Sequence, residues 1–271
     1  MSLRDTSSAG RTRHGRLKGV LFMALWSCGL NVSGPGAPGS ADLSLLFIGN
    51  SLTYTNDLPG MVERLLEEHG GIADVYTESV SLPNFGLQDH WEGLSNARDR
   101  IRAGGWDYVI MQQGPSATTG RPSLLEYSQR FAAEIVSAGG RPAMYMVWPS
   151  AQRSFDFDGV SDSYRTAAAQ IGGRLFPAGE AWRAAWARDS SLSLYGSDGF
   201  HPSLLGTYLA AVVIFEQLTD RDPASLPARI PTVSGSQAIS ELDAQNLHSA
   251  AKEANAAFAL SQDAAAARGS R

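Results

Sequence analysis

The sequence predicts an α/β fold in which a parallel sheet of about five strands is covered by helices on both faces. Short apolar segments alternate with longer amphipathic segments along most of the chain. This alternation is typical of β-α-β units joined by right-handed crossovers, and continuous apolar strands are typical of a sheet buried on both sides. The 271 residues are enough for one such domain with a substantial core.

The individual elements follow from the periodicity of apolar residues. The strand candidates are short apolar or β-branched runs, at residues 43–48, 72–77, 108–111, 144–148 and 173–176. The helix candidates carry one apolar face or are apolar throughout, at residues 58–69, 124–137, 163–171, 202–218 and 236–260. Pro223, Pro227 and Pro231 predict a loop between the last two helices.

Composition and charge exclude several classes of function. There are 22 Lys and Arg against 27 Asp and Glu, so the net charge is −5 and no domain-wide basic field is present to hold nucleic acid. The single cysteine, Cys28, excludes an intramolecular disulfide and a cysteine-rich zinc or iron–sulfur site within this chain. We therefore expect no nucleic-acid partner, no cofactor and no metal.

The first 28 residues have the parts of an export signal. Basic residues precede an apolar run at 20–26, which is too short to span a bilayer. Residues 25–28, Leu-Trp-Ser-Cys, resemble a bacterial lipobox, which would make Cys28 the lipidated residue, although Trp26 departs from that pattern. Plain secretion with cleavage near Ala37 or Ala41 is the alternative.

These features predict the domain organisation and the location. Residues 1–28 are the export signal, 29–41 a flexible tether rich in Gly, Pro and Ser, 42–262 a single domain, and 263–271 a frayed tail. We expect a protein of the bacterial periplasm or cell surface, either lipid-anchored or secreted. Any membrane contact would be through the N-terminal lipid, and the oligomeric state is left open.

The first candidate loop for chemistry is Gly49-Asn50-Ser51, directly after the first strand. Open parallel sheets bind ligands at the carboxyl ends of their strands. A sharp turn at Gly49 would place the Ser51 hydroxyl at that edge, with its amide near a helix start, where developing negative charge is favoured. The alternative is that these residues only cap the helix.

The second candidate loop, residues 197–202, precedes the strongly apolar helix. Asp198 and His201 are three residues apart, Gly199 permits a tight turn, and Pro202 suits the start of a helix. In such a turn the carboxylate can accept a hydrogen bond from one imidazole nitrogen while the other nitrogen acts as a base. A solvated or core histidine is the alternative.

Two further loops offer hydrogen-bond donors. Gln112 and Gln113 follow the third strand, and a side-chain amide is a common donor to an oxyanion, although a pair of glutamines on a solvated loop is the simpler explanation. The loop after the second strand, residues 82–87, can present the backbone amide of Gly86 as another donor.

In this order and on these elements, the motifs resemble those of the SGNH hydrolases, the GDSL-like esterase family with a flavodoxin-like fold. The resemblance extends from about residue 43 to about residue 218 and rests on Gly49-Asn50-Ser51 and on Asp198-Gly199-Phe200-His201-Pro202. It implies a three-layer sandwich around the parallel sheet.

The resemblance also implies the roles of the site residues. Ser51 would be the nucleophile, His201 the general base and Asp198 the acid that orients it. The oxyanion hole would be formed by the amides of Ser51 and Gly86 and by a side-chain amide from the loop after the third strand.

Two positions depart from the family pattern. Asn50 stands where the family usually has Asp, at a position that shapes the turn and transfers no proton. The usual Gly-x-Asn of the third block is absent, so we expect Gln113, with Gln112 as the fallback, to supply the donor. The sequence is similar to an outlying branch with Gly-Asn-Ser in the first block and a Gln-rich third block.

The expected function is that of an exported serine esterase. It would remove small acyl groups, acetyl above all because no long apolar lid segment is present, from carbohydrates or other polar alcohols through an acyl-enzyme. One alternative is an acyltransferase with the same triad. A second is a non-catalytic glycan-binding surface protein, which the altered third block favours. A lipase or lysophospholipase is a further alternative.

Overall fold

The structure of the protein is a computed structural model that describes residues 38–269, with side chains described to residue 258. The predicted export signal, Cys28 and most of the predicted tether lie outside the described residues. Among the residues that are described, no helix is long and apolar enough to cross a membrane.

Five strands form a parallel sheet, as the sequence predicts: β1 (Leu43–Gly49), β2 (Val75–Ser81), β3 (Tyr108–Met111), β4 (Arg141–Tyr145) and β5 (Arg174–Phe176). Their order across the sheet is β2-β1-β3-β4-β5. Every residue of the central strands β1 and β3 is buried, because both faces of the sheet are covered. The order reverses between β1 and β3, and such a switch point is where open α/β sheets bind ligands.

Helices cover the sheet in two layers. In chain order they are α1 (Ser51–Tyr54), α2 (Leu58–His69), α3 (Leu87–Trp91), α4 (Ala97–Ala103), α5 (Arg121–Ser137), α6 (Phe157–Ile171), α7 (Ala178–Arg188), α8 (Leu204–Thr219) and α9 (Glu241–Gly269). Helices α2, α7, α8 and α9 form one packed group, and α3 to α6 form the other. Helix α8 is apolar on all sides because it packs against α2, α7, α9 and the sheet.

Several boundaries differ from the sequence prediction. Strand β2 begins at Val75 and continues through polar residues to Ser81, because it is an edge strand and half of its side chains need no apolar partner. Helices α3, α4 and α7 are not predicted from the sequence. The last helix is predicted from residue 236, but α9 begins at Glu241. Residues 236–238 belong instead to an antiparallel hairpin, β6 (Arg229–Thr232) with β7 (Gly235–Ala238), which also includes part of the predicted loop. Pro231 is tolerated there because a two-stranded hairpin has open edges.

The C-terminal end also differs. The last helix is predicted to end at residue 260, but α9 continues to Gly269. The Ala-rich sequence of this segment explains the difference, since alanine has the highest intrinsic helix propensity.

Candidate active site

The turn after β1 is fixed by the side chain and backbone of Asn50. The Asn50 carboxamide oxygen accepts a hydrogen bond from Leu52 N at 3.1 Å and so caps α1, while its NH2 donates to the Phe85 carbonyl at 2.9 Å. The Asn50 N–H donates to Oε1 of Gln112 at 2.9 Å, and the Thr53 hydroxyl donates to the same oxygen at 2.8 Å. Asn50 therefore shapes the turn, as its position in the sequence predicts.

Gly49 and His90 support this turn from beneath. A Cβ at position 49 would overlap the side chains of Thr53 and Gln112, so only glycine fits. The His90 Nε2 atom lies 2.9 Å from the Gly49 carbonyl oxygen, and its Nδ1 lies 2.8 Å from the Ser95 hydroxyl. Burial lowers the pKa of His90, which favours the neutral ring that donates to Gly49 and accepts from Ser95. Sequence reasoning did not find this role.

Ser51, His201 and Asp198 form a continuous hydrogen-bonded chain. Ser51 Oγ lies 2.8 Å from His201 Nε2, and His201 Nδ1 lies 2.5 Å from Asp198 Oδ2. Because the carboxylate can only accept, Nδ1 carries a proton and Nε2 presents its lone pair to the serine hydroxyl. The structure thus brings together the three residues that the sequence singles out, across 150 positions of the chain.

Asp198 also holds the loop in which it lies. Its Oδ1 accepts hydrogen bonds from the N–H groups of Phe200 at 2.9 Å and His201 at 3.0 Å. Gly199 has a φ of +68°, which glycine adopts without strain. The hydrogen bond from the His201 side chain, together with these backbone donors, lowers the pKa of Asp198 to about 2. The carboxylate is therefore charged when an imidazolium forms beside it.

Buried aromatic side chains anchor this loop to the core. The Trp148 indole N–H donates to the Phe200 carbonyl at 3.1 Å, and the Trp148 ring stacks on Trp182 with 3.5 Å between centroids. The Ala151 N–H donates to the Gly199 carbonyl at 2.8 Å. The position of His201 is therefore set by the packed interior.

A cavity of about 430 Å³ opens beside Ser51. Gly86 and Gln113 are part of its wall, whereas Gln112 is not. Two further wall residues, Asn84 and Ser116, have positive φ values of 62° and 58°. Non-glycine residues in this conformation are uncommon and cluster at functional sites. The cavity lies at the switch point between β1 and β3 and is the candidate substrate site.

The Ser51 amide is available as an oxyanion donor. As the first N–H of α1 it has no intrahelical acceptor, and it donates to no other group among the described residues. A hydrogen-bond donor at this position lies next to the attacking oxygen of the same residue.

The other two predicted donors are engaged by protein oxygens. The Gly86 N–H donates to the Asp89 carboxylate at 2.7 Å. The Gln113 side chain accepts from Leu87 N at 3.1 Å and donates to the Ser116 hydroxyl and the Gly120 carbonyl, each at 3.0 Å. Because Leu87 N can only donate and the Gly120 carbonyl can only accept, these partners fix the orientation of the amide. Sequence reasoning did not find Asp89.

Gln112 has a different role from the fallback donor predicted for it. Its Oε1 receives the two hydrogen bonds from the nucleophile turn, and its Nε2 donates to the Gln113 carbonyl. It is buried beneath the turn and does not reach the cavity. Gln112 supports Ser51 indirectly.

The part of the chain that the structure describes contains no evident metal-binding site. No group of three or more His, Cys, Asp or Glu side chains is placed there to hold an ion.

No family model matches the sequence, and no curated protein matches it. Solved structures do match the fold. A protein from Slackia heliotrinireducens assigned to the SGNH hydrolases is 24% identical, with a TM-score of 0.57, over 65% of this chain and 98% of its own. The lipase/acylhydrolase from Enterococcus faecalis is 15% identical, with a TM-score of 0.54, over 66% of this chain and 96% of its own.

A third solved structure, the acetyl xylan esterase AlAXEase, is 11% identical, with a TM-score of 0.53, over 65% of this chain and 100% of its own. The sheet order and these likenesses define an α/β protein of the flavodoxin-like class. Within that class, the protein has the SGNH-hydrolase fold, which confirms the fold that the motif resemblance implies.

Proposed function

We propose that the protein is an exported serine esterase that hydrolyses small acyl esters, acetyl esters above all, of carbohydrates or other polar alcohols. The observation that carries the proposal is the hydrogen-bonded chain from Asp198 through His201 to Ser51, at the edge of a cavity. A serine hydroxyl is a weak nucleophile unless a base takes its proton, and this arrangement supplies that base with its orienting carboxylate.

The reaction would proceed in two halves. Ser51 Oγ attacks the ester carbonyl carbon as its proton passes to His201 Nε2, and the Asp198 carboxylate stabilises the imidazolium that forms. The tetrahedral intermediate collapses, and the alcohol leaves with the proton from Nε2, which gives an acyl-enzyme on Ser51. Water then attacks the acyl-enzyme with His201 again as the base, and the carboxylic acid is released.

The oxyanion of each tetrahedral intermediate needs donors. The Ser51 N–H is available as the structure stands. The Gly86 N–H would join it after exchanging the Asp89 carboxylate for the substrate oxygen, and Gln113 would join it by releasing Ser116 or Gly120. Each donor to an oxyanion is worth about 3 kcal/mol of barrier.

The nature of the substrate is supported by the cavity wall. Polar side chains, including Asn84, Gln88, Asp89 and Ser123, line it beside Ser51. These polar groups can pair with polar parts of a substrate, while Phe85, Pro115 and Phe200 in the same wall offer apolar contacts to a short acyl group. One solved structure of the same fold is an acetyl xylan esterase, and acetylated carbohydrate is the substrate class that we propose first.

The experiment is an ester panel with the purified protein and its Ser51→Ala variant. We expect kcat/KM to be highest for acetyl esters and to fall as the acyl chain lengthens from two to twelve carbons, with no activity in Ser51→Ala. Activity that rises with chain length and at lipid interfaces would favour a lipase. Acetate transfer to an added sugar in preference to water would favour an acyltransferase.

A non-catalytic glycan-binding protein is the second candidate, because the Gly86 and Gln113 donors are both engaged. Glycan binding measured by calorimetry, without hydrolysis of any ester in the panel, would favour it.

Export is supported by the sequence of residues 1–28 alone. Expression of the full chain in a bacterial host, followed by cell fractionation and mass analysis of the new N-terminus, tests it. Membrane attachment that Cys28→Ala abolishes would support lipidation, and a free chain beginning after Ala37 or Ala41 would support secretion.

A further inference from the structure

A second cavity, of about 320 Å³, adjoins the cavity beside Ser51. Pro115, Ser116, Gly120 and Phe200 line both cavities. The two cavities are therefore neighbours that share these four wall residues.

The second cavity adjoins the loop that carries His201, although neither His201 nor Ser51 lines it, and it lies away from Gly86. Phe200, which precedes His201, is part of its wall, whereas Gly86 and Asp89 line only the first cavity. The segment 149–156 forms another part of the wall, and the hydrogen bond from Ala151 N to the Gly199 carbonyl joins this segment to the histidine loop. In ester hydrolysis the leaving alcohol takes its proton from the histidine, so the alcohol must lie on this side.

The wall of the second cavity is suited to hydroxyl groups. Hydroxyl side chains line it, namely those of Ser116, Thr118, Thr119 and Ser150. Arg153 and Asp156 also line it, and the Arg153 Nε and Nη2 atoms bind the Asp156 carboxylate at 2.6 Å and 2.5 Å. A guanidinium has five N–H donors, so Arg153, which is 58% exposed, retains donors for a ligand.

An exposed aromatic ring stands beside these polar groups. Phe155 is 76% exposed, and the Arg153 guanidinium carbon lies 5.4 Å from its ring centroid. Phe155 lines neither cavity itself, but its neighbours Arg153 and Asp156 line the second one. A flat apolar ring next to several hydrogen-bonding groups matches a sugar, which has an apolar ring face and polar hydroxyls at its edge.

We propose that the second cavity binds the alcohol part of the ester, and that this part is a chain of sugar residues, so that the natural substrate is an acylated oligosaccharide. The proposal rests on the esterase function and adds the position of the leaving alcohol. Arg153 donates hydrogen bonds to sugar hydroxyls, and Phe155 packs against a sugar ring.

The test compares two substrates in the wild-type protein and in the Arg153→Ala and Phe155→Ala variants. The first substrate is 4-nitrophenyl acetate, which has no sugar, and the second is a set of chemically acetylated oligosaccharides of xylose, glucose and N-acetylglucosamine. We expect kcat/KM for the best oligosaccharide to fall about tenfold in Arg153→Ala, the loss of hydrogen bonds to a charged group, while 4-nitrophenyl acetate is unaffected. We expect a smaller fall of the same kind in Phe155→Ala, whose exposed side chain is not needed for folding.

Arg165→Ala is the matched control. Arg165 is 54% exposed and pairs with Asp162 three residues away, as Arg153 pairs with Asp156, but it lies outside both cavities. The proposal is overturned if neither variant changes the ratio of the two kcat/KM values, if both substrates lose activity equally, or if the wild type cleaves 4-nitrophenyl acetate and none of the acetylated sugars. Absence of hydrolysis of every ester, including 4-nitrophenyl acetate, would instead reject the esterase function itself.

Discussion

The acid–base side of the site, formed by Ser51, His201 and Asp198, can be compared with the donor side, formed by Gly86, Asp89 and Gln113. On the acid–base side each polar group is bonded to the group with which it would exchange a proton or share a charge. On the donor side each predicted oxyanion donor is bonded to a protein oxygen. The first side is assembled as it stands, and the second must exchange hydrogen-bond partners before it can act.

The origin of the difference is local. Asp198 and His201 belong to one tight loop, whose own backbone N–H groups bind the carboxylate, so the geometry of the Asp198–His201 pair is set within four residues. The donor side joins two loops, after β2 and after β3, and in each loop an acceptor lies within reach of the donor. A carboxylate beside an oxyanion donor is a competitor for that donor, because charge-assisted hydrogen bonds are the stronger ones.

The largest expected effect comes from the acid–base side. Ser51→Ala or His201→Ala should lower kcat/KM for an acetyl ester by about 10⁴-fold or more, since nucleophile and base act as a unit. Ser123→Ala, which removes another hydroxyl from the same cavity wall, should retain most of the activity. Steady-state kinetics with a thermal melt of each variant checks this. A comparable loss of kcat/KM in Ser51→Ala, His201→Ala and Ser123→Ala would mean that these side chains contribute to substrate binding and not to proton transfer.

On the donor side, Gln113→Ala should lower kcat by about 10²-fold, the effect of losing one oxyanion donor. It also leaves the buried Leu87 N–H without its partner, although the Gly120 carbonyl keeps its hydrogen bond from Leu124 N–H. The unpaired Leu87 N–H should lower the free energy of unfolding by about 1–3 kcal/mol. Kinetics and denaturant unfolding measure the two effects separately. A variant that is less stable but has unchanged kcat would show that Gln113 only joins the two loops.

Removal of the Asp89 side chain should raise kcat, whereas removal of the Gln113 side chain should lower it. Asp89→Ala frees the Gly86 N–H and removes a negative charge from the cavity, so kcat should rise several-fold, while α3 loses a cap worth about 1 kcal/mol. Asp89→Asn keeps an acceptor without the charge and should lie between the two. A fall in kcat for Asp89→Ala would mean that the carboxylate positions the Gly86 loop and does not compete with the oxyanion.

The smallest expected effect is a change with pH in the contribution of Asp198 to the melting temperature. The pKa of Asp198 is lowered to about 2 in the folded protein, from an ordinary value near 4, so the folded state holds the charged form more tightly. The stabilisation is fully present above about pH 4 and is lost as the pH falls towards 2. The difference in Tm between wild type and Asp198→Asn should therefore narrow over that range. A difference that is constant from pH 5 to pH 2 would contradict the charged hydrogen bond to His201.

The sequence predicts the acid–base side because its motifs are short. Gly49, Asn50 and Ser51 are adjacent, and Asp198 and His201 lie in one turn, so residue types at fixed spacing are enough to indicate the geometry. The sheet is predicted for a similar reason, since its apolar strands are short continuous runs.

The donor side and its supports depend on contacts that spacing does not show. His90 reaches the Gly49 carbonyl across 41 positions, and Gln113 reaches Leu87 across 26. Successive residues leaving a strand point to opposite sides, so one of the two glutamines must lie beneath the turn and the other at the cavity, and the sequence favours Gln113 for the cavity only by its position past the strand. A signal for Asp89 is present, because an acidic residue three positions after the start of a helix commonly binds the first amide.

The central claim is that Ser51 is an activated nucleophile, and covalent labelling tests it most directly. The purified protein and its Ser51→Ala, His201→Ala and Ser123→Ala variants would be treated with a fluorophosphonate, followed by intact mass measurement and peptide mapping. We predict one adduct, located on Ser51, that is absent from Ser51→Ala and His201→Ala and retained in Ser123→Ala. A folded protein that forms no adduct, or forms one at a different residue, would contradict the account.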